Sequence, residues 1–417
     1  MKCISIFFIF FILNFNISIS FAQKIECSRI EFSFYPAAEQ VEEAGIKVKA
    51  FLKVDDLKND TITLKTNVKI SLFGPKNLKA NLIDKKGNLS TLTSWIDSPI
   101  NSQQSESYQF MKILIPNKRN ATILITYNVL GSSIFKYSPE SESFYTCQQQ
   151  YEYYYPMDMP IREIKVSSSD SIKYFASYKK ENKELKDINL SFIHKGHYKE
   201  KSFAKGNLKI NLHIPDSLIN DQRMQKNIVD FQQYIDKLST HLSSQKSADL
   251  IYINWRDDQT RRAFGEALGD YTVCDINFNS KDLLHELIHI FFPIDVKQNS
   301  KGEYFMKESI IEWLALYFSN KNKYIDKVGG KSTNSISLYD VQINNLTTWN
   351  LIYITGPLII QQISSKSGED KMANIIISFL KKNQNNTISY GKFIAYVKKY
   401  LSNDLVEEMN FLIKNSY

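Results

Sequence analysis

The sequence predicts an α+β fold, with a β-rich N-terminal half and a mostly helical C-terminal half. Three observations carry that expectation. Residues 24–212 alternate apolar and polar positions or form short β-branched runs. Near Pro215 the period becomes helical, in "DSLINDQRMQKNIVDFQQYIDKLSTHLSS", behind a capping Asp or Ser. From Lys281 onward helical periods follow one another almost without a break.

In chain order, "KIECSRIEFSFYP", "IKVKAFLKV", "DTITLKTNVKISLF", "YQFMKILIP" and "ATILITYNVL" read as strands. "DDLKND", "DKKGN" and "PNKRN" are the turns between them. Short strands at this spacing predict an N-terminal antiparallel β-sandwich, which "YEYYYPMDMPIREIKVSSSD" continues. The sandwich is placed at residues 23–212 and a second domain at 213–417. In the second, "ADLIYINW" and "GDYTVCDINF" read as buried strands. Helices are expected over Lys281–Phe292, Phe305–Asn320, Thr347–Ser364, Asp370–Lys382, Tyr390–Leu401 and Leu405–Asn415.

The opening "MKCISIFFIFFILNFNISISFAQK" has a basic Lys2, an apolar core from Ile4 to Leu13, and a small-x-small Ser20-Phe21-Ala22. This pattern predicts a secretory signal peptide over residues 1–22, cut after Ala22. Asn14, Asn16 and the serines make the segment too polar for a comfortable membrane span. Cys3 precedes the apolar core and no lipobox cysteine stands at the cut, which argues against a lipoprotein. The expected location is therefore exported, periplasmic or extracellular. No later stretch has the length of a transmembrane helix.

Of the 417 residues, 43% are hydrophobic, enough for a sizeable core. The net charge of +8 is spread among interspersed signs. Its densest run, Lys179–Lys209, alternates signs and carries strand-like apolar residues, as a solvated hairpin does. That reading is preferred to a nucleic-acid stripe, and no nucleic-acid partner is expected. After signal removal three cysteines remain: Cys27, Cys147 and Cys274. Export permits a disulfide, and Cys27–Cys147 is the expected pair because both lie in the N-terminal region. Cys274, inside "YTVCDINF", is expected to be a buried free thiol.

The chemistry concentrates in "HELIHIFFPIDVKQNSKGEYFMKESIIEW", from His285 to Trp313. His285 and His289 are four apart, so on a helix they share one face and can reach one ion. Glu286 points beside that ion, where a carboxylate can act as general base on an activated water. Pro293 ends the helix, a polar loop turns the chain back, and Glu308 falls in the first turns of the next helix. Two histidines and one carboxylate leave a fourth position for water, the pattern of a catalytic zinc site. Glu312 shares a face with Glu308, and reads either as the acceptor of a ligand histidine's other N–H or as a surface charge. The bland alternative is a pair of satisfied helix histidines. It would bury two imidazoles and a glutamate inside an apolar helix, at a cost of several kcal/mol, roughly, unless they are paired or metal-bound. His194, His197, His213 and His241 read as ordinary surface residues.

His285, Glu286, His289 and Glu308, in the spacing HExxH, eighteen residues, Glu, resemble the gluzincin metallopeptidases and most closely the aminopeptidase N family. The match covers residues 220–417. The resemblance implies a thermolysin-like, mostly helical zinc-peptidase domain. It further implies one zinc ion on His285, His289 and Glu308, with Glu286 as general base. "WNLIYITGPLIIQQI" fits the family's Tyr-x-x-Gly-apolar pattern, and this implies that Tyr353 stabilises the oxyanion. The chain also departs from the family. The Gly-x-Met-Glu-Asn segment that grips a substrate amine is replaced by "FGEALGDYTVCDINF", where Glu266 or Asp270 is the candidate replacement carboxylate and Glu266 and Gly269 are the candidate substrate-binding residues. Lys307-Glu308-Ser309 stands where Asn-Glu-Gly is usual, and the long helical C-terminal cap is absent.

The function expected from all of this is zinc-dependent hydrolysis of peptide bonds in a peptide or protein, as an exo- or endopeptidase. The strand Gly269–Phe278 is expected to pair with extended substrate. The rival is a non-catalytic peptide-binding or envelope protein with a vestigial zinc site. The intact Glu286 speaks against it, because a binder has no use for a water-activating base.

Overall fold

The structure is a computed structural model. It describes residues 24–35, 45–55, 60–67, 76–97, 108–115, 120–130, 144–148, 161–242, 244–253, 265–275, 277–297, 299–320, 337–341, 346–384 and 386–415. The predicted signal peptide lies outside the described residues. Among those residues no helix is long and apolar enough to cross a membrane.

Among the described residues up to His194 the regular structure is strand, as the period-2 pattern requires. A six-stranded sheet is built around Lys24–Tyr35, Gly45–Asp55, Ala121–Leu130 and Lys76–Ile83. A three-stranded sheet joins Thr61–Asn67, Tyr108–Leu114 and Ser94–Asp97. Val48, Ala50 and Ile125 of the first and Ile62 and Ile113 of the second belong to one buried core. Pairing is antiparallel except where Lys24–Tyr35 runs parallel to Ile164–Ser168, so the large sheet is not antiparallel throughout. A further three-stranded sheet orders Ile172–Glu181, Glu184–His194 and Phe144–Gln148.

Cys27 is fully buried at an irregularity in its strand and carries a free thiol directed at the Arg29 carbonyl. The expected Cys27–Cys147 bond is absent. Cys147 pairs through its backbone with Leu190 in a different sheet. Burial pushes the Cys27 thiol up to about 12, so it stays protonated and unreactive.

A five-stranded sheet opens the C-terminal half: β1 (Tyr198–Lys205), β2 (Leu208–Pro215), β3 (Lys246–Ile253), β4 (Gly265–Ala267) and β5 (Tyr271–Asp275), in the order β1-β2-β3-β5-β4. The β2–β3 and β3–β5 pairs are parallel. The crossover from β2 to β3 carries α1 (Gln222–Ser239), whose N-terminus Asp221 caps by accepting from Met224 N at 2.8 Å. Helices α2 (Ser280–Phe291), α3 (Ile310–Phe318), α4 (Leu346–Asn350), α5 (Gly356–Ser367), α6 (Glu369–Lys382), α7 (Tyr390–Val397) and α8 (Asn403–Lys414) follow among the described residues. Two expected helices are each interrupted by a π-helical turn, Phe305–Ser309 before α3 and Leu351–Thr355 between α4 and α5. One continuous apolar core joins this sheet to the helices.

Three differences from expectation bear on the site. β5 is paired on both sides, by β3 and β4, so the strand Gly269–Phe278 cannot accept a peptide. Among the described residues the edges of this sheet are β1 and β4, and β4 is the one paired to β5. His213 is only 1% exposed, not a surface residue. Its Nε2 lies 2.7 Å from Asp249 Oδ1, and Phe175 from the preceding sheet packs edge-on against its ring. Burial alone would raise the Asp249 carboxyl, but His213, Asn211 and Lys173 outweigh it and hold the carboxyl below its usual range. Cys274 is, as expected, a buried free thiol.

Candidate metal centre

β5 leads directly into α2, which Asn279 caps by accepting from the amides of Lys281 and Asp282. Leu283, Leu284, Leu287, Ile288 and Phe291 anchor α2 in the core. That packing fixes the rotation of the helix and therefore the direction of His285 and His289. The next helix lies against α2 and brings Glu308 over both rings. Glu308 Oε2 is 3.3 Å from His285 Nε2 and 3.4 Å from His289 Nε2, and the two nitrogens are 3.1 Å apart. The three ligand atoms lie within 4.8 Å of one another, the one such His/Cys/Asp/Glu group of three among the described residues.

The charges around this point are arranged for a cation. Burial opposes a charge on His285, yet the Glu308 and Glu312 carboxylates outweigh it and push the imidazole up to about 10. Burial would raise Glu308, but the two histidines hold it well below the carboxylate range. Two imidazole nitrogens and a carboxylate oxygen converging on one point fit the three-residue ligand set of a catalytic zinc site.

Behind the cluster stands a chain of support. Glu312 Oε2 lies 2.9 Å from His285 Nδ1, and the ionised carboxylate can only accept, so Nδ1–H donates. This turns Nε2 toward the metal position. Burial would raise Glu312, but His285 and Lys281 lower it to about 2. Lys281 Nζ donates to Glu312 Oε1 at 2.6 Å and pairs with Asp282 Oδ1 at 2.6 Å. A cation in the first turn of a helix opposes the macrodipole, so these two carboxylates are what hold it there. Lys281 escaped the sequence reading, although it stands four residues before His285 on the same helix face.

Tyr353 reaches the opposite side of the cluster. Its hydroxyl donates to Glu308 Oε2 at 3.0 Å, and its ring lies 5.9 Å from that of His285. Burial first, and Glu308 next, push the phenol far above its ordinary pKa. It therefore remains a hydrogen-bond donor at every physiological pH. Trp349, one helical turn earlier, stacks on the phenol ring at 4.2 Å.

Glu286 is half-buried, and the edge strand β4 crosses it closely. A Cβ on Gly265 would stand 3.2 Å from Glu286 Cγ and would strike the Phe278 ring. Glycine is what permits that approach. Glu266 pairs by its backbone with Val273, while its side chain lies outside the described residues. Gly269 is not brought to the cluster. It sits at φ +79° in the turn at the far end of the β4–β5 hairpin, packed on Ser177.

No protein-family model matches the chain, and no curated protein matches it. Solved structures do. A mutant of a two-domain M1 zinc metallopeptidase bound to L-tryptophan superposes with a TM-score of 0.52 at 10% identity, covering 94% of this chain and 95% of that one. The same mutant bound to L-arginine gives 0.53 at 10%, with the same coverage. The M1 zinc metallopeptidase from Deinococcus radiodurans gives 0.51 at 10%, covering 94% of each chain. What is shared at so low an identity is the backbone arrangement. The chain has the α+β fold of the M1 zinc metallopeptidases, the aminopeptidase N family.

Proposed function

We propose that this chain is an exported zinc-dependent metallopeptidase that hydrolyses peptide bonds in peptide or protein substrates. The reading includes a signal peptide over residues 1–22, a β-sandwich domain over 23–212 and a catalytic domain over 213–417. One observation carries it: His285, His289 and Glu308 converge on one point, with Glu286 and the Tyr353 hydroxyl beside it.

His285, His289 and Glu308 would hold the ion. Zinc, when bound there, supplies Lewis-acid activation of water and of the scissile carbonyl. The remaining work falls to the chain's own side chains. Glu286 takes the proton of the attacking water and passes it to the leaving amine. The Tyr353 hydroxyl donates a hydrogen bond to the oxygen on which negative charge develops. β4, the free edge beside Glu286, is where an extended substrate backbone would add by strand pairing. Glu266, on that edge, is the residue proposed to meet a substrate's free amine.

The test is a zinc-loaded chain lacking residues 1–22, incubated with peptides of which half have free and half acetylated N-termini. Products are read by mass spectrometry, with a chelated sample alongside. Chelator-sensitive cleavage is expected, and loss of single residues from free peptides alone would define an aminopeptidase. Internal cuts in both sets would define an endopeptidase. No cleavage by a chain with confirmed zinc would return the case to the peptide-binding reading. Tyr353→Phe is expected to retain zinc and lower kcat about a hundred- to a thousandfold, the value of one oxyanion donor. An unchanged kcat would remove Tyr353 from the mechanism.

A further inference from the structure

Glu308 and Tyr353, which meet at the metal position, both stand on π-helical turns. Such a turn interrupts the regular ladder of helical hydrogen bonds and leaves its backbone groups open to other partners. Here one of them is used. Ser309 Oγ donates to the carbonyl of Ile352 at 2.7 Å, and Ser309 is fully buried. Ser309 directly follows Glu308, and Ile352 directly precedes Tyr353. One buried hydrogen bond therefore joins the neighbour of the ligand to the neighbour of the phenol. The approach is tight, since a Cβ on Gly356 would stand 2.2 Å from Ser309 Oγ. The Tyr353–Glu308 hydrogen bond closes the ring of contacts.

We propose that Ser309 is a positioning residue, whose hydroxyl docks the turn bearing Glu308 onto the turn bearing Tyr353 and so fixes the phenol beside the metal position. The role in catalysis rests on the peptidase reading above, whereas the docking itself does not. Removing the hydroxyl leaves the Ile352 carbonyl unpaired in a dry contact. A turn that then relaxes toward the α-helical count rotates Tyr353 away from Glu308.

The experiment compares Ser309→Ala with wild type in the full zinc-loaded chain. Metal content and far-UV circular dichroism are expected to stay unchanged. KM is expected to hold while kcat falls about ten- to a hundredfold, the cost of a small misplacement of a catalytic group. Adding Tyr353→Phe to Ser309→Ala is expected to cost far less than Tyr353→Phe alone, because both remove the same contribution. Full additivity of the two losses overturns the proposal. A readout without turnover comes from the Trp349–Tyr353 stack, whose near-UV circular dichroism band is identified by its loss in Trp349→Phe. Ser309→Ala should weaken that band, and an unchanged band overturns the docking role. If the wild type cleaves nothing, the peptidase reading fails while the band still decides the docking. Gly356→Ala provides the second route, and is expected to lower both melting temperature and kcat. Combining it with Ser309→Gly restores space but not the hydrogen bond, so the melting temperature should recover and kcat should not. Recovery of both overturns the proposal.

Discussion

Glu286→Gln is expected to keep its zinc and to lose peptide hydrolysis by about 10³- to 10⁴-fold, the upper part of the range for general acid–base catalysis. The large value follows from double duty, since one carboxylate takes a proton from water and returns it to the amine. Glutamine preserves the volume under β4, where Gly265 crosses closely, so the packing should survive. Glu286 is not among the three residues whose ligand atoms converge, so metal content should survive too. The pairing of zinc by elemental analysis with kcat/KM on a cleaved peptide is the decisive measurement. Full zinc with activity within tenfold of wild type would mean that another group moves the proton.

The site was legible in the sequence because its spacing is local. His285 and His289 share a helix face by count alone, and Glu308 and Glu312 repeat that spacing one helix later. What local spacing does not contain is which strand lies beside which. β5 reads as a strand from its apolar run, yet its place between β3 and β4 depends on the chain crossing over and returning as a hairpin. The strand expected to pair with substrate is therefore already paired on both sides. His213 failed for the same reason, because Phe175, from another sheet, is what covers it. The π-helical turns were also hidden. Their residues keep ordinary helical propensity, and the extra residue is stabilised by a tertiary contact, Ser309 to Ile352. In the N-terminal half alternation located the strands. It could not reveal the parallel pairing of Lys24–Tyr35 with Ile164–Ser168, which joins segments more than a hundred residues apart.

Glu312→Ala should cost about 3–5 kcal/mol of stability, the penalty for removing one member of a buried ion pair. Its carboxylate sits between the His285 Nδ1–H donor at 2.9 Å and the Lys281 ammonium at 2.6 Å, and Glu312 is only 6% exposed. Lys281 would keep only Asp282, in the helix turn where a cation is least favoured. His285 would lose the acceptor that orients its ring, so zinc affinity should fall about 10- to 100-fold. Stability and affinity can be separated. Lys281→Met with Glu312→Leu replaces the pair by apolar side chains, and such exchanges are often neutral or stabilising. That double variant should regain most of the lost stability in a denaturant melt while its zinc affinity, measured by chelator competition, stays low. If affinity recovered along with stability, Glu312 would matter only as packing. If Glu312→Ala left the zinc affinity unchanged, the Nδ1 hydrogen bond would have no part in holding His285 toward the ion.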